Sequence, residues 1–149
     1  MDRNDVDQQD PDTRPDEALP ATAPGGSVIV SVCVTCKTSE GVLAGPAMFD
    51  AIRIATSERD AAVQVRRVQC LSVCKRPTTV AVSSSDGYTF LFGDLQPEGA
   101  SAVVSFVDSY RKSTYGLVPW RERAEILRKG MVARLPPARW SPEDGSAPK

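Results

Sequence analysis

Residues 27–36, SVIVSVCVTC, and residues 63–74, VQVRRVQCLSVC, are the two stretches that decide the fold. Each begins with a run rich in β-branched residues, which is typical of a buried or half-buried strand. The first run ends directly at Cys33 and the second directly at Cys70. We therefore predict two strands, over residues 27–32 and 63–69, each followed at once by a pair of cysteines.

A helix is expected between these strands. The 33 residues between Cys36 and Cys70 are enough for a helical crossover that joins two parallel strands. Pro46 fits the first turn of such a helix, which is predicted to run to about Glu58. Its apolar residues at helical spacing are Met48, Phe49, Ile52 and Ala55/Thr56. Because a right-handed strand–helix–strand unit brings both strand ends to one edge of the sheet, both cysteine pairs are expected there.

The remaining elements complete a mixed sheet. Residues 79–83 and 88–92 are predicted to form a hairpin around Asp86-Gly87, a strong turn signal. A second helix is predicted from about Pro97 to about Arg111. Its apolar stripe is Ala100, Val103, Val104, Val107 and Tyr110. The order β-α-β-β-β-α predicts a single domain of the α/β class with a mixed sheet.

The distribution of charge sets the expected limits of this domain. Residues 1–26 hold seven acids, two arginines and four prolines, a composition that predicts a disordered acidic tail. Residues 138–149 are also rich in proline and glycine, and a second disordered tail is predicted there. Residues 27–137, the predicted domain, contain 14 Lys/Arg and 10 Asp/Glu, hence a formal charge of +4.

The absence of histidine from the 149 residues excludes much chemistry. It rules out Ser-His-Asp and Cys-His catalysis and every histidine-ligated metal site. No phosphate-binding loop and no dinucleotide-binding glycine motif is present. Any chemistry must therefore be carried by the four cysteines, and we expect an electron carrier or metal-binding protein and not an enzyme.

Composition also bears on location and partners. A net charge of −1 gives no case for a nucleic-acid binder, and no run of about 18 apolar residues predicts a membrane span. Because no secretory signal is recognisable at the N-terminus, a cytoplasmic location is expected. Thiols stay reduced in that compartment, which favours metal or redox chemistry over structural disulfides.

Three kinds of site compete for the cysteines Cys33, Cys36, Cys70 and Cys74. A [2Fe–2S] cluster is held by four thiolates, and two loops that supply two each suit it. A structural zinc site uses the same ligands, but its pairs usually lie some 15–20 residues apart. A thiol–disulfide exchange site would use Cys33 and Cys36 alone, yet Lys37 begins a loop-like segment where such motifs enter a helix. The residues therefore favour a cluster over zinc, and zinc over thiol exchange.

The neighbours of the cysteines suit an anionic centre. Three cations lie close after the cysteines: Lys37 follows Cys36, and Lys75-Arg76 follow Cys74. Cations of this kind also occur simply as solvated residues of loops. Hydroxyl groups that could donate hydrogen bonds to sulfur belong to Thr35, Ser72, Thr78 and Thr79.

Residues 119–129 join a tryptophan to several cations. Our interpretation is an amphipathic extension that covers the sheet with Trp120, Ile126 and Leu127. The alternative is a surface that docks an acidic redox partner, because complementary charge speeds encounter.

The cysteine pattern resembles that of the thioredoxin-like [2Fe–2S] ferredoxins. Their second pair has the spacing of Cys70 and Cys74, whereas their first pair is more widely spaced than Cys33 and Cys36. A closer resemblance is to a bacterial family of predicted metal-binding proteins of thioredoxin-like ferredoxin type, some associated with cobalamin synthesis. The segments that carry it are 70–77 (CLSVCKRP), 91–95 (LFGDL), 119–123 (PWRER), 128–130 (RKG) and 136–137 (PP).

The resemblance implies a thioredoxin-like domain that binds a metal. With the four thiols, it leads us to expect a [2Fe–2S] cluster at Cys33, Cys36, Cys70 and Cys74 and one-electron exchange with a redox protein partner. The alternatives are a non-catalytic zinc- or cobalt-binding module and a Cys-x-x-Cys thiol–disulfide oxidoreductase. The sequence leaves open whether the chain is a monomer or a homodimer.

Overall fold

A computed structural model describes residues 27–38, 40–57 and 63–148, so the predicted tail of residues 1–26 lies outside the described residues. The described strands form one five-stranded sheet in the order β2-β1-β3-β4-β5. They are β1 (Val28–Cys33), β2 (Val63–Val68), β3 (Val80–Ser83), β4 (Thr89–Phe92) and β5 (Met131–Leu135). The described α-helices are α1 (Gly45–Ser57), α2 (Ala100–Lys112) and α3 (Glu125–Lys129).

The pairing of the strands confirms the predicted mixed sheet. Strand β1 runs parallel to β2, with Val28 opposite Val63 and Cys33 opposite Val68. Strands β3, β4 and β5 are added by antiparallel pairing, β3 to β1, β4 to β3 and β5 to β4. Because β1 and β2 are parallel neighbours joined by α1, their C-terminal ends lie side by side at one edge.

One face of the sheet carries the core. Val30, Val82 and Phe90 lie in register across β1, β3 and β4, and each is fully buried. The ring of Phe106 on α2 packs edge-on against Phe90 at 5.0 Å. Since burying one such side chain contributes about 1.5–3 kcal/mol, these contacts hold the strands from which the cysteine loops emerge.

The helices bury the predicted apolar faces. On α1, Met48 and Ile52 are fully buried, and the hydroxyl of Thr56 donates to the carbonyl of Ile52 at 2.9 Å. Helix α2 buries the whole predicted stripe and also Phe106. No helix in the described part of the chain has both the length and the apolar character that a membrane span needs.

Strand β5 is absent from the sequence prediction. Its five residues pair antiparallel with β4, with Arg134 opposite Phe90. A short edge strand of mixed composition gives too little alternation to stand out. Gly130 lies directly before this strand. A Cβ atom at this position would lie 2.4 Å from the carbonyl oxygen of Gly93, so a residue with a side chain would clash with the backbone.

The segment of residues 119–129 does not cover the sheet as predicted. It forms a single 3-10 turn, Trp120–Glu122, followed by α3. Leu127 is fully buried, but Trp120 is 57% exposed and Ile126 is 43% exposed. The prediction is wrong for these two side chains. Helix α3 is so short that only one of its two adjacent apolar residues faces the core, and Trp120 lies outside this helix.

Residues 138–148 also differ from the predicted tail. Trp140 is only 3% exposed and packs edge-on against the rings of Tyr88 and Tyr115, at 5.1 and 5.0 Å. The hydroxyl of Tyr115 donates to the carbonyl of Pro148 at 3.0 Å. Burial of this one large aromatic side chain provides apolar contacts that the proline- and glycine-rich composition of the segment does not predict.

Candidate metal centre

Both cysteine loops leave the sheet at the same edge. The backbone N–H of Val34 donates to the carbonyl of Val68 at 3.0 Å, which extends the parallel pairing one residue past β1. The hydroxyl of Thr35 donates to the carbonyl of Gln69, the residue before Cys70. The two loops are thus joined to each other, as the predicted topology requires.

Cys33 and Cys36 form the inner part of the site. Cys33 is fully buried and Cys36 is 5% exposed. Their Sγ atoms lie 3.2 Å apart. The backbone N–H of Cys33 donates to the carbonyl of Thr79 at 3.0 Å, so β3 also fixes the position of this cysteine.

The two buried thiols differ in acidity. Burial acts to raise the pKa of Cys33, but hydrogen bonds from Thr35 and Cys36 outweigh it and leave this pKa below its usual value. Burial raises the pKa of Cys36 to about 12, with further contributions from the hydrogen bonds and charges of Cys33 and Cys74. In the metal-free chain, Cys33 is therefore the thiol of this pair that ionises first.

The second cysteine pair lies on the exposed side. Cys74 is exposed, yet it lies near enough to Cys36 to help raise the pKa of that thiol. Cys70 is exposed as well, and its sulfur accepts the backbone N–H of Ser72 at 3.2 Å. Within the described residues, Cys70 forms no hydrogen bond with the other three thiols.

The structure therefore brings Cys33 and Cys36 into contact, places Cys74 near Cys36 and leaves Cys70 beside them. Across residues 27–38, 40–57 and 63–148, no three His, Cys, Asp or Glu side chains are arranged to hold a metal ion. The donors nevertheless belong to adjoining loops, and the one that stands apart is on an exposed segment. Their assignment as ligands stays a prediction.

The predicted cations do not all face the thiols. Arg76 is directed elsewhere: its Nε atom forms a salt bridge with Asp94 at 2.7 Å. Lys37 and Lys75 are exposed. Of the predicted hydroxyl donors, Thr35 joins the loops and lies 3.8 Å from the sulfur of Cys33, and Ser72 lies 4.0 Å from the sulfur of Cys70. Thr78 and Thr79 are fully buried, and their hydroxyls have no hydrogen-bond partner.

Two supporting contacts escape the sequence analysis. Gly45, the first residue of α1, lies against the carbonyl of Cys33. The Gly-Pro pair at this helix start is the one feature of the local sequence that points to this contact. The salt bridge of Arg76 with Asp94 joins residues 18 positions apart, and no local pattern predicts it.

Comparison with known proteins places this geometry in a family. A family model described as protein of unknown function DUF1636 matches residues 30–137, the range that contains both cysteine pairs. The chain belongs to DUF1636. No curated protein sequence matches this DUF1636 chain significantly.

Solved structures similar to the DUF1636 chain come from Aquifex aeolicus. One structure of a thioredoxin-like [2Fe–2S] ferredoxin is 16% identical, covers 77% of this chain and 98% of its own, and superposes with a TM-score of 0.51. The wild-type crystal structure of that ferredoxin is 17% identical, with coverages of 72% and 97% and a TM-score of 0.49. The first of these similarities confirms the predicted thioredoxin-like fold. The expected association with cobalamin synthesis stays a prediction.

Proposed function

We propose that this protein binds a [2Fe–2S] cluster through the thiolates of Cys33, Cys36, Cys70 and Cys74 and acts as a one-electron carrier. The observation that carries the proposal is the convergence of both cysteine pairs at one sheet edge, where Cys36 contacts Cys33 and Cys74 lies near Cys36. Four thiolates are the usual ligands of a two-iron cluster. The Aquifex aeolicus protein that shares the fold is a [2Fe–2S] ferredoxin, which supports the same choice.

The donor set and its surroundings fit such a group. Four thiols in two joined loops supply the full ligand count without any other residue type. The buried hydroxyl of Thr79 has no partner, and the carbonyl of the same residue accepts the N–H of Cys33. Unused donors next to a ligand suit an anionic centre, because hydrogen bonds to sulfur adjust the potential of a cluster.

Burial divides the site into a closed and an open side. Cys33 and Cys36 are buried against the sheet, whereas Cys70 and Cys74 are exposed. A cluster bound there would take one electron from a reduced protein donor and pass it to an oxidised protein acceptor. The redox partner that we propose would approach the exposed loop of residues 70–75, because the opposite side is covered by the core.

Thiol–disulfide exchange is the second candidate, and the 3.2 Å separation of the Cys33 and Cys36 sulfurs favours it. The thiolate of Cys33 would attack a disulfide of a partner protein, form a mixed disulfide and release one partner thiolate. Cys36 would then give its proton to the released partner thiolate, displace the second partner sulfur as a thiolate and close the Cys33–Cys36 disulfide. The partner disulfide gains two electrons and this dithiol loses them.

Metal and sulfide analysis of one anaerobic preparation tests the first proposal. Iron, zinc, cobalt and acid-labile sulfide are measured in protein expressed with ample iron. A brown protein with about two irons and two sulfides per chain is expected. A colourless protein with stoichiometric zinc, or a protein with stoichiometric cobalt and no iron or sulfide, would instead support the metal-binding module without electron transfer.

Trapping with a disulfide-containing protein tests the second candidate. Metal-free Cys36→Ser protein is incubated with native insulin, whose two chains are joined by disulfides, and non-reducing electrophoresis reports covalent adducts. An adduct formed by Cys36→Ser, and absent from the matched Cys33→Ser variant, supports exchange through Cys33. Equal labelling of both variants, or none, contradicts it.

A further inference from the structure

The side chain of Arg76 joins the second cysteine loop to two distant parts of the chain. Its Nε atom lies 2.7 Å from a carboxylate oxygen of Asp94. Its two terminal nitrogens donate to backbone carbonyls at the end of α3, to Lys129 at 2.9 Å and to Met131 at 3.3 Å. One guanidinium thus bonds with residues on both sides of the α3–β5 turn and with the residues that follow β4.

The backbone around Arg76 closes the same junction. The N–H of Asp94 donates to the carbonyl of Arg76 at 2.8 Å, and the N–H of Gly93 donates to the carbonyl of Gly130 at 2.7 Å. A Cβ atom on Gly93 would lie 2.8 Å from both the Cβ and the carbonyl oxygen of Arg76. The three chain segments are therefore in direct backbone contact, and glycine is needed where they meet.

This junction gathers three of the segments that the sequence analysis singled out. They are the residues after Cys74, the Gly93-Asp94 turn and the Arg128-Lys129-Gly130 turn. They are separated by up to 55 positions in the chain, as in the contact of Arg76 with Met131. In the fold, the guanidinium of Arg76 connects these segments through its bonds with Asp94, Lys129 and Met131.

We propose that Arg76 is a positioning residue that holds the loop of Cys70 and Cys74 against the α3–β5 turn, so that the second pair of ligands faces the first. Arginine suits this task because its planar fork bonds with several acceptors at fixed angles, which a lysine ammonium cannot do. Its salt bridge is charge-assisted, and its side chain is 35% exposed, so water competes only in part. The importance of this role for metal binding rests on the proposed function.

Hydrogen exchange in the metal-free protein provides the direct test. The variants are Arg76→Gln, the milder Asp94→Asn, and Arg123→Gln as the matched control. Arg123 is also half-buried and bonds with the carbonyl of Val118 at 2.9 Å and with the sulfur of Met131 at 3.8 Å, but none of its bonds joins it to the cysteine loop or to Asp94. Loss of a charge-assisted bond should speed exchange of the amides of Arg76 and Asp94 about tenfold in Arg76→Gln, and less in Asp94→Asn. In Arg123→Gln these amides should exchange at the wild-type rate.

Release of iron from the anaerobically loaded protein provides the second readout. A chelator should remove iron from Arg76→Gln about tenfold faster than from wild type, as for other residues that orient ligands. Arg76→Lys should be intermediate, since it keeps a cation beside Asp94 but loses the fork. The electron paramagnetic resonance spectrum of the reduced cluster should change in Arg76→Gln and stay unchanged in Arg123→Gln.

The two proposals fail in different ways. If wild-type protein holds no iron, the proposed function is wrong, and the exchange rates alone decide the role of Arg76. If wild type holds the cluster but Arg76→Gln matches Arg123→Gln in exchange, iron release and spectrum, the positioning role is wrong. Should Arg76→Gln fail to fold, Asp94→Asn gives the same comparison while it keeps the guanidinium bonds to Lys129 and Met131.

Discussion

The first residue of helix α1 touches the first cysteine: a Cβ atom on Gly45 would lie 2.1 Å from the carbonyl oxygen of Cys33 and 2.7 Å from the Cα of Val34. Both neighbours are backbone atoms, which cannot rotate out of the way. The start of α1 and the first cysteine loop are therefore packed as closely as a residue without a side chain allows.

We expect Gly45→Ala to destabilise the protein by about 1–3 kcal/mol, the usual cost of overpacking. An alanine gains at most about 1 kcal/mol over glycine in helix propensity, and less at a helix end, so the clash decides the sign. Urea unfolding measures the change. Ala47→Ser, an exposed substitution in the same helix turn, is the control, and equal midpoints for the two variants would contradict the close contact.

Tyr110 supports a second prediction. Its hydroxyl donates to the carbonyl of Tyr88 at 2.6 Å and lies 3.0 Å from the hydroxyl of Ser84. Tyr110→Phe should cost about 1–2 kcal/mol at neutral pH, since a partly buried carbonyl loses its donor. Tyr115→Phe, whose hydroxyl bonds with an exposed carbonyl, should cost less.

The pH dependence of the Tyr110→Phe effect has a defined sign. Burial raises the pKa of Tyr110 above its usual 10.0, so the folded state keeps this proton where the unfolded state loses it. The Tyr110 hydroxyl therefore makes its full contribution to the stability of the wild type below pH 10, and part of this contribution is lost as the pH rises above that value. The stability gap between wild type and Tyr110→Phe should narrow above pH 10, and a gap that widens would contradict this assignment.

The two tryptophans make a matched pair for the C-terminal segment. Trp140 is 3% exposed, whereas Trp120 is 57% exposed. Trp140→Ala should cost about 3 kcal/mol or more, the usual range for a buried aromatic residue, while Trp120→Ala should change stability by less than about 0.5 kcal/mol. Denaturant unfolding of the two variants measures the difference. Similar small effects would show that residues 138–148 contribute as little as a disordered tail.

Local patterns explain which parts of the fold the sequence predicts. Strands β1 and β2 and helix α1 carry strong periodicity over six or more residues, and the convergence of their cysteine loops follows from the handedness of one connection. Strand β5 has only five residues, and Trp140 is a single apolar residue in a polar stretch. Both are stabilised by contacts with distant residues, which periodicity does not reveal.

The candidate site likewise has some features that the sequence pattern predicts and others that depend on contacts between distant residues. The positions of Cys33 and Cys70 follow from the strand ends, so topology alone brings the loops together. The nearness of Cys74 to Cys36 depends on how each loop turns after its strand, and the support from Arg76 depends on a carboxylate 18 residues away. Neither is encoded in a local pattern.

The four thiols should respond unequally to substitution by serine. Cys36 is 5% exposed, contacts Cys33 and lies near Cys74, so Cys36→Ser should abolish cluster retention. Cys70 is exposed and contacts none of them among the described residues, so a serine there should still allow a weaker cluster with altered visible absorption. Iron content and absorption spectra of anaerobically purified variants measure this order. Val34→Ser and Val73→Ser alter the same loops without removing a thiol and should keep the iron content of wild type, whereas equal losses from Cys36→Ser and Val34→Ser would show that loop packing and not ligation sets the result.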